Sequence, residues 1–121
     1  MLEKYKTVKL CLDTGRLHLQ RKIDSDFNDI EIIKKFSRYA EVVHLWNVKV
    51  DGNMENNHFP ALSNLKPEEG WASIEDYLKI IKEENKNVKI MFEHRSDLIS
   101  DKELDDCYSW IHSILKLNKV K

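Results

Sequence analysis

Five side chains in this sequence could do chemistry together. Asp13 ends the run Val8-Lys-Leu-Cys-Leu-Asp13, His44 lies within Glu41-Val-Val-His-Leu-Trp-Asn47, and Glu93 ends Val88-Lys-Ile-Met-Phe-Glu93. Two carboxylates and one imidazole supply oxygen and nitrogen donors, a mixed set suited to a divalent ion such as Mn²⁺, Mg²⁺, Co²⁺ or Zn²⁺. His58, in Asn56-Asn57-His58-Phe59-Pro60, could bind a metal, a phosphate or a substrate hydroxyl. Arg16, just past Asp13, could clamp a phosphate or carboxylate. Each residue also has an ordinary reading. A carboxylate at a strand end often only caps the next helix, a strand histidine is often a satisfied core residue, and a loop histidine or arginine is often simply solvated. His94 and Arg95, which follow Glu93, carry the same ambiguity. The recurrence of a ligand type at three successive strand ends is what favours a shared role for Asp13, His44 and Glu93.

The elements that must position these groups follow from periodicity. Val8 to Asp13 reads as a short buried strand, stopped by Thr14-Gly15. Residues 16–25 read as a polar connection in which Asp24, Ser25 and Asp26 are all competent to cap a helix. Phe27, Ile30, Ile33, Phe36 and Ala40 then form one apolar stripe, which predicts a helix from about Phe27 to Tyr39. A second strand spans Val42 to about Val48. From about Lys49 to Ala72 the chain reads as one long irregular connection with a turn at Asp51-Gly52-Asn53 and breaks at Pro60 and Pro67. Connections this long are usually functional or disordered, and Trp46, Phe59 and Trp71 argue for packing over disorder. Ser73 with Asp76 predicts a capped helix to about Glu84, with Ile74, Tyr77, Leu78 and Ile81 on one face. Val88 to Glu93 is the third strand. Ser100 with Glu103 forms a capping box for a last helix, Asp101 to about Leu117.

Strands alternating with amphipathic helices predict an α/β fold with a parallel sheet and right-handed crossovers, and ligands at the carboxyl ends of the strands. Three such units with helices on one side leave the other sheet face bare and both edges unpaired. A complete (β/α)₈ barrel needs about 250 residues, and this chain of 121 is close to half of that. The expectation is a single domain, residues 1–121, forming a partial (half) TIM barrel of three parallel βα units.

Composition narrows the function. Net charge is −1 with acidic and basic residues interspersed, so neither a nucleic-acid stripe nor a polybasic membrane patch is expected. The apolar runs are too short to span a bilayer, and Met1-Leu-Glu-Lys-Tyr-Lys6 lacks the apolar core of a secretory signal. Cys11 and Cys107 are too few for a disulfide framework and read as reduced, which points to the cytoplasm. The sequence holds no glycine-rich phosphate loop, nucleophile elbow or paired-cysteine metal motif.

Leu12-Asp13-Thr14-Gly15, Val43-His44-Leu45-Trp46-Asn47, His58-Phe59-Pro60 followed by Glu69-Gly70-Trp71, and Met91-Phe92-Glu93 together resemble the xylose-isomerase-like TIM-barrel superfamily of sugar-phosphate isomerases, epimerases and apurinic-site endonucleases. The resemblance covers nearly the whole chain but only the last three βα units of that barrel. In the ketose-epimerase branch one divalent ion is held by a Glu, an Asp, a His and a Glu from strands five to eight, and Asp13, His44 and Glu93 match the last three. The resemblance implies that Glu93 is also an acid–base catalyst and that its counterpart would lie before Met1. The implied reaction is proton transfer beside a carbonyl, with the metal stabilising the enediolate and His58 and Arg16 placing hydroxyls or phosphate.

Two departures bear on function. Arg16 stands where the family often has His, and Asn56 stands where the endonucleases have Asp. Both remove ligands from a trinuclear zinc cluster, which favours a one-metal sugar or sugar-phosphate isomerase over DNA repair. The alternatives are a non-catalytic half-barrel that binds a polyol or self-associates, and, ranked last, a nuclease for damaged DNA. A homo-oligomer or a missing N-terminal half is expected to cover the open sheet face.

Overall fold

The computed structural model describes residues 10–116. The predicted strand residues Val8 and Lys9, the proposed helix end at Leu117 and the segment Met1 to Lys6 lie outside that range. Three strands form a parallel sheet: β1 (Leu10–Asp13), β2 (Ala40–Leu45) and β5 (Lys89–Phe92), with β2 in the centre. The chain is thus mixed α/β with a three-stranded parallel sheet, as the alternating pattern predicts.

Strand alternation divides the sheet into two unlike faces. Leu12, Val43 and Leu45 point into the core, where Val43 and Leu45 have no exposure. They pack with Ile33 of α2 (Asp29–Phe36), with Tyr77, Leu78 and Ile81 of α3 (Ile74–Glu84), and with Ile111 and Ile114 of α4 (Asp101–Lys116). Burying each such side chain contributes about 1.5–3 kcal/mol. The opposite face carries exposed Cys11, half-buried Val42 and Met91, which is 50% exposed. Parallel sheets are normally covered on both faces, whereas this face is left uncovered among the described residues.

The expected connection over residues 16–25 is instead a helix, α1 (Thr14–Ile23), beginning directly at the end of β1. Asp13 accepts a hydrogen bond from the Arg16 backbone N–H and so caps it. Thr14-Gly15 does end the strand, but by opening a helix. The α2 cap is Asn28, whose side chain accepts from the Glu31 N–H, while Asp24 closes α1 at its other end. Two helices therefore separate β1 from β2.

The second strand also differs from the prediction. It breaks at Trp46, and the chain re-forms as β3 (Asn47–Asp51), which pairs antiparallel with β4 (Asn53–Phe59) across the turn at Gly52. Half of the expected irregular connection is thus a hairpin. Gly52 supplies the positive φ of +83° that its turn needs. Asn47 holds the hairpin base: its buried Oδ1 accepts from the N–H groups of Val48 at 2.8 Å and Ala72 at 2.9 Å. A 3₁₀ turn over Pro67–Glu69 leads into α3. Ser73 occupies the α3 N-cap position without a side-chain capping bond. The Ser100–Glu103 capping box of α4 forms as expected, with the Glu103 N–H donating to Ser100 Oγ and the Ser100 N–H to Glu103 Oε1, both at 3.1 Å. Among the described residues no helix is long and apolar enough to cross a membrane.

Candidate metal centre

Parallel register places the candidate ligands. Asp13 stands opposite His44, and Leu45 stands opposite Phe92, the residue before Glu93. The Glu93 N–H donates to the Leu45 carbonyl at 3.0 Å, continuing the ladder one residue past β5. Strand alternation then turns all three side chains toward the uncovered face. One donor atom from each of Asp13, His44 and Glu93 lies within 4.8 Å of the others. His44 Nδ1 is 3.2 Å from Glu93 Oε2. Donors about 2.1 Å from a tetrahedral ion stand about 3.4 Å apart, so small side-chain rotations would suffice to close the set on an ion.

The donors are accessible without being freely solvated: the side chains of Asp13, His44 and Glu93 are 19%, 28% and 33% exposed. Asp13 serves two roles here. Its Oδ1 accepts from the Arg16 N–H at 3.0 Å, and its Oδ2 lies 3.8 Å from Arg16 Nε. A monodentate ligand keeps one oxygen for such a cap, so capping and cation binding are compatible. Cys11, two residues earlier on the same face, does not join the set. The group of donors that lie within reach of one another contains Asp13, His44 and Glu93 and not its sulfur.

The two predicted substrate-binding residues are placed differently. Arg16 lies on α1, turned back to Asp13 and 77% exposed. His58 lies on β4, outside the donor set, with its ring stacked on Trp46 at a centroid distance of 3.8 Å and an interplanar angle of 10°. His94 packs beside Phe92 and Tyr108, and burial holds its imidazole below the ordinary histidine value. Arg95 pairs with Asp97 at 3.1 Å. A cavity of about 110 Å³ lined by Lys66, Ser73, Asp76 and Trp110 contains none of the candidate residues.

Sequence reasoning passed over Thr14 and Trp46. The Thr14 hydroxyl donates to the Trp46 carbonyl at 2.7 Å and accepts from the Trp46 N–H at 3.1 Å. These two bonds take the place of ladder bonds at the point where β2 ends. The available signal was position: Thr14 follows one candidate ligand directly, and Trp46 lies two residues after another. No family model, curated protein or solved structure matches the chain.

Proposed function

We propose that this chain is a divalent-cation-dependent isomerase or epimerase of the xylose-isomerase-like type, built as a partial TIM barrel and acting on a sugar or sugar phosphate. The observation that carries this reading is the convergence of Asp13, His44 and Glu93 at the carboxyl end of a parallel sheet, where ligands of α/β folds bind. The donor set fits Mn²⁺, Mg²⁺, Co²⁺ or Zn²⁺, and a bound cation would polarise a substrate carbonyl and stabilise negative charge beside it.

Glu93 has two carboxylate oxygens. With one toward a bound cation, the other could take a proton from the carbon next to the carbonyl and return it to the neighbouring carbon on the same face, as isomerisation requires. Epimerisation would need a second acid on the opposite face, supplied by whatever closes the sheet. Asp13 and His44 hold the cation, and Arg16 and His58 orient hydroxyl or phosphate groups of the substrate. Catalysis of this kind needs water kept out. The uncovered face therefore has to be closed by a second copy of the chain or by further βα units.

A second reading is a non-catalytic half-barrel that self-associates, favoured by the same bare face with Met91 half exposed. Titration with Mn²⁺ and Co²⁺, a panel of ketoses and ketose phosphates, and sedimentation separate the two. One ion per chain with turnover lost in Glu93→Gln supports the enzyme. An oligomer that binds no ion supports the module, and a stable monomer without ion or turnover removes both.

A further inference from the structure

Trp46 follows β2 directly, two residues after His44. Its backbone is bound twice to Thr14, the residue after Asp13. The carbonyl just before it, on Leu45, accepts from the Glu93 N–H. The indole is 1% exposed and lies against Gly15, where any Cβ would collide with it. On this fixed ring stacks the His58 imidazole, nearly parallel to it. The His58 carbonyl in turn accepts from the Arg95 N–H at 2.8 Å, joining β4 to the segment after Glu93.

The backbone that presents His58 is unusual. Asn56 and His58 both hold φ of +54°, in the left-handed region that side-chain-bearing residues adopt at a cost. Such strain persists where the surroundings over-determine it, and here a stack on one side and a hydrogen bond on the other do so. Stacking uses the face of the imidazole and leaves its in-plane nitrogens free to meet a ligand.

We propose that Trp46 is a positioning residue that fixes the His58 imidazole at the carboxyl end of the sheet, the end that bears Asp13, His44 and Glu93, so that the ring hydrogen-bonds an oxyanion or hydroxyl of a cation-bound ligand. This rests on the cation site proposed above. A purely structural stack would leave phosphate binding to the Co²⁺-loaded protein unaltered when His58 is replaced, which is what the test exploits.

The test loads the full chain with Co²⁺ and follows its visible absorption during titration with inorganic phosphate, in wild type, Trp46→Phe, Trp46→Leu and His58→Gln. Proton NMR of the ion-free proteins reads the indole ring-current shift on the His58 ring. Expected is an unchanged Co²⁺ affinity throughout, with phosphate binding weakened about tenfold or more in His58→Gln and Trp46→Leu and kept in Trp46→Phe, as loss of one hydrogen bond to a charged group implies. The ring-current shift should persist in Trp46→Phe and vanish in Trp46→Leu. Phosphate binding unaltered by His58→Gln overturns the proposal, and because His58 is half-buried on a hairpin this variant keeps the test open if Trp46→Leu does not fold. Co²⁺ bound without any response to phosphate overturns this proposal alone, whereas failure to bind Co²⁺ overturns the cation site and this proposal with it.

Discussion

His44 Nδ1 lies 3.2 Å from Glu93 Oε2 although His44 belongs to β2 and Glu93 follows β5, with a hairpin and a helix between them. The contact puts a nitrogen and an oxygen donor at a separation that one divalent ion can bridge. Mn²⁺ affinity measured by isothermal titration should fall about tenfold or more in His44→Ala and in Glu93→Gln, as loss of one ligand implies. An affinity unchanged by both substitutions would mean that neither residue ligates the ion.

Tyr77 and Asp29 form the main polar contact inside the helical layer. The Tyr77 hydroxyl donates to Asp29 Oδ2, with Tyr77 fully buried and Asp29 5% exposed. Burial, then the hydrogen bond and charge of Asp29, push the phenol far above its ordinary range. Arg21 Nε, 3.7 Å from Asp29 Oδ1, gives the carboxylate a second partner. Removing the hydroxyl leaves a buried carboxylate short of a donor, so Tyr77→Phe should cost about 1.5–3 kcal/mol in urea unfolding. A loss below the error of the measurement would show that Arg21 and the Ile30 N–H, which donates to Asp29 Oδ1 at 3.0 Å, satisfy Asp29 without the hydroxyl.

Gly15 and Gly52 are both intolerant of a side chain, for different reasons. At Gly15 the added methyl meets the Trp46 indole, a rigid ring already buried. At Gly52 nothing lies within 4 Å, and the obstacle is its φ of +83°. Gly15→Ala should cost about 1–3 kcal/mol through overpacking and disturb the His58 stack. Gly52→Ala should cost about 1–2 kcal/mol through backbone strain and leave the stack intact. Thermal melts together with the His58 ring-proton shifts distinguish the two, and a Gly15→Ala protein with unaltered ring shifts would contradict the packing described.

How much of this could be read from the sequence depended on which force dominated each segment. α2, α3 and α4 follow apolar stripes such as Ile74, Tyr77, Leu78 and Ile81, so the pattern alone located them. The strand ends at Asp13 and Glu93 were legible because each apolar run stops at a charged side chain. α1 was not, because Thr14–Ile23 has no apolar stripe. It is held by the Asp13 cap and by tertiary burial of Thr14, Gly15 and His18. The hairpin was missed because β4 is nearly all polar, and its pairing is set by the Gly52 turn and by the Val50 N–H bond to the Gly70 carbonyl at 2.8 Å. The Trp46 break depends on a hydroxyl 32 residues away, which no local window contains.

His18 supplies a pH dependence of stability. It is 1% exposed, its Nε2 lies 2.9 Å from the Gly70 carbonyl and must carry the proton to donate there, and its buried Nδ1 has no partner among the described residues. Burial lowers its pKa from 6.5, an effect that the Gly70 bond and Asp29 oppose and that Lys22 and Arg21 reinforce. The unfolded chain therefore takes up a proton that the folded chain resists. Stability is complete above pH 6.5 and declines as pH falls from 6.5 through the lower folded value. The fall in urea midpoint between pH 7.5 and 5.5 should be smaller in His18→Gln than in wild type. Equal falls would assign the effect to other groups, among them His94, whose pKa burial also lowers.

Crystals grown with Mn²⁺ and measured for anomalous scattering locate the ion directly. The account predicts one peak at about 2.0–2.3 Å from an oxygen of Asp13, an oxygen of Glu93 and a ring nitrogen of His44. A map with no peak among these three side chains at saturating Mn²⁺, or with the ion held elsewhere on the chain, would contradict it.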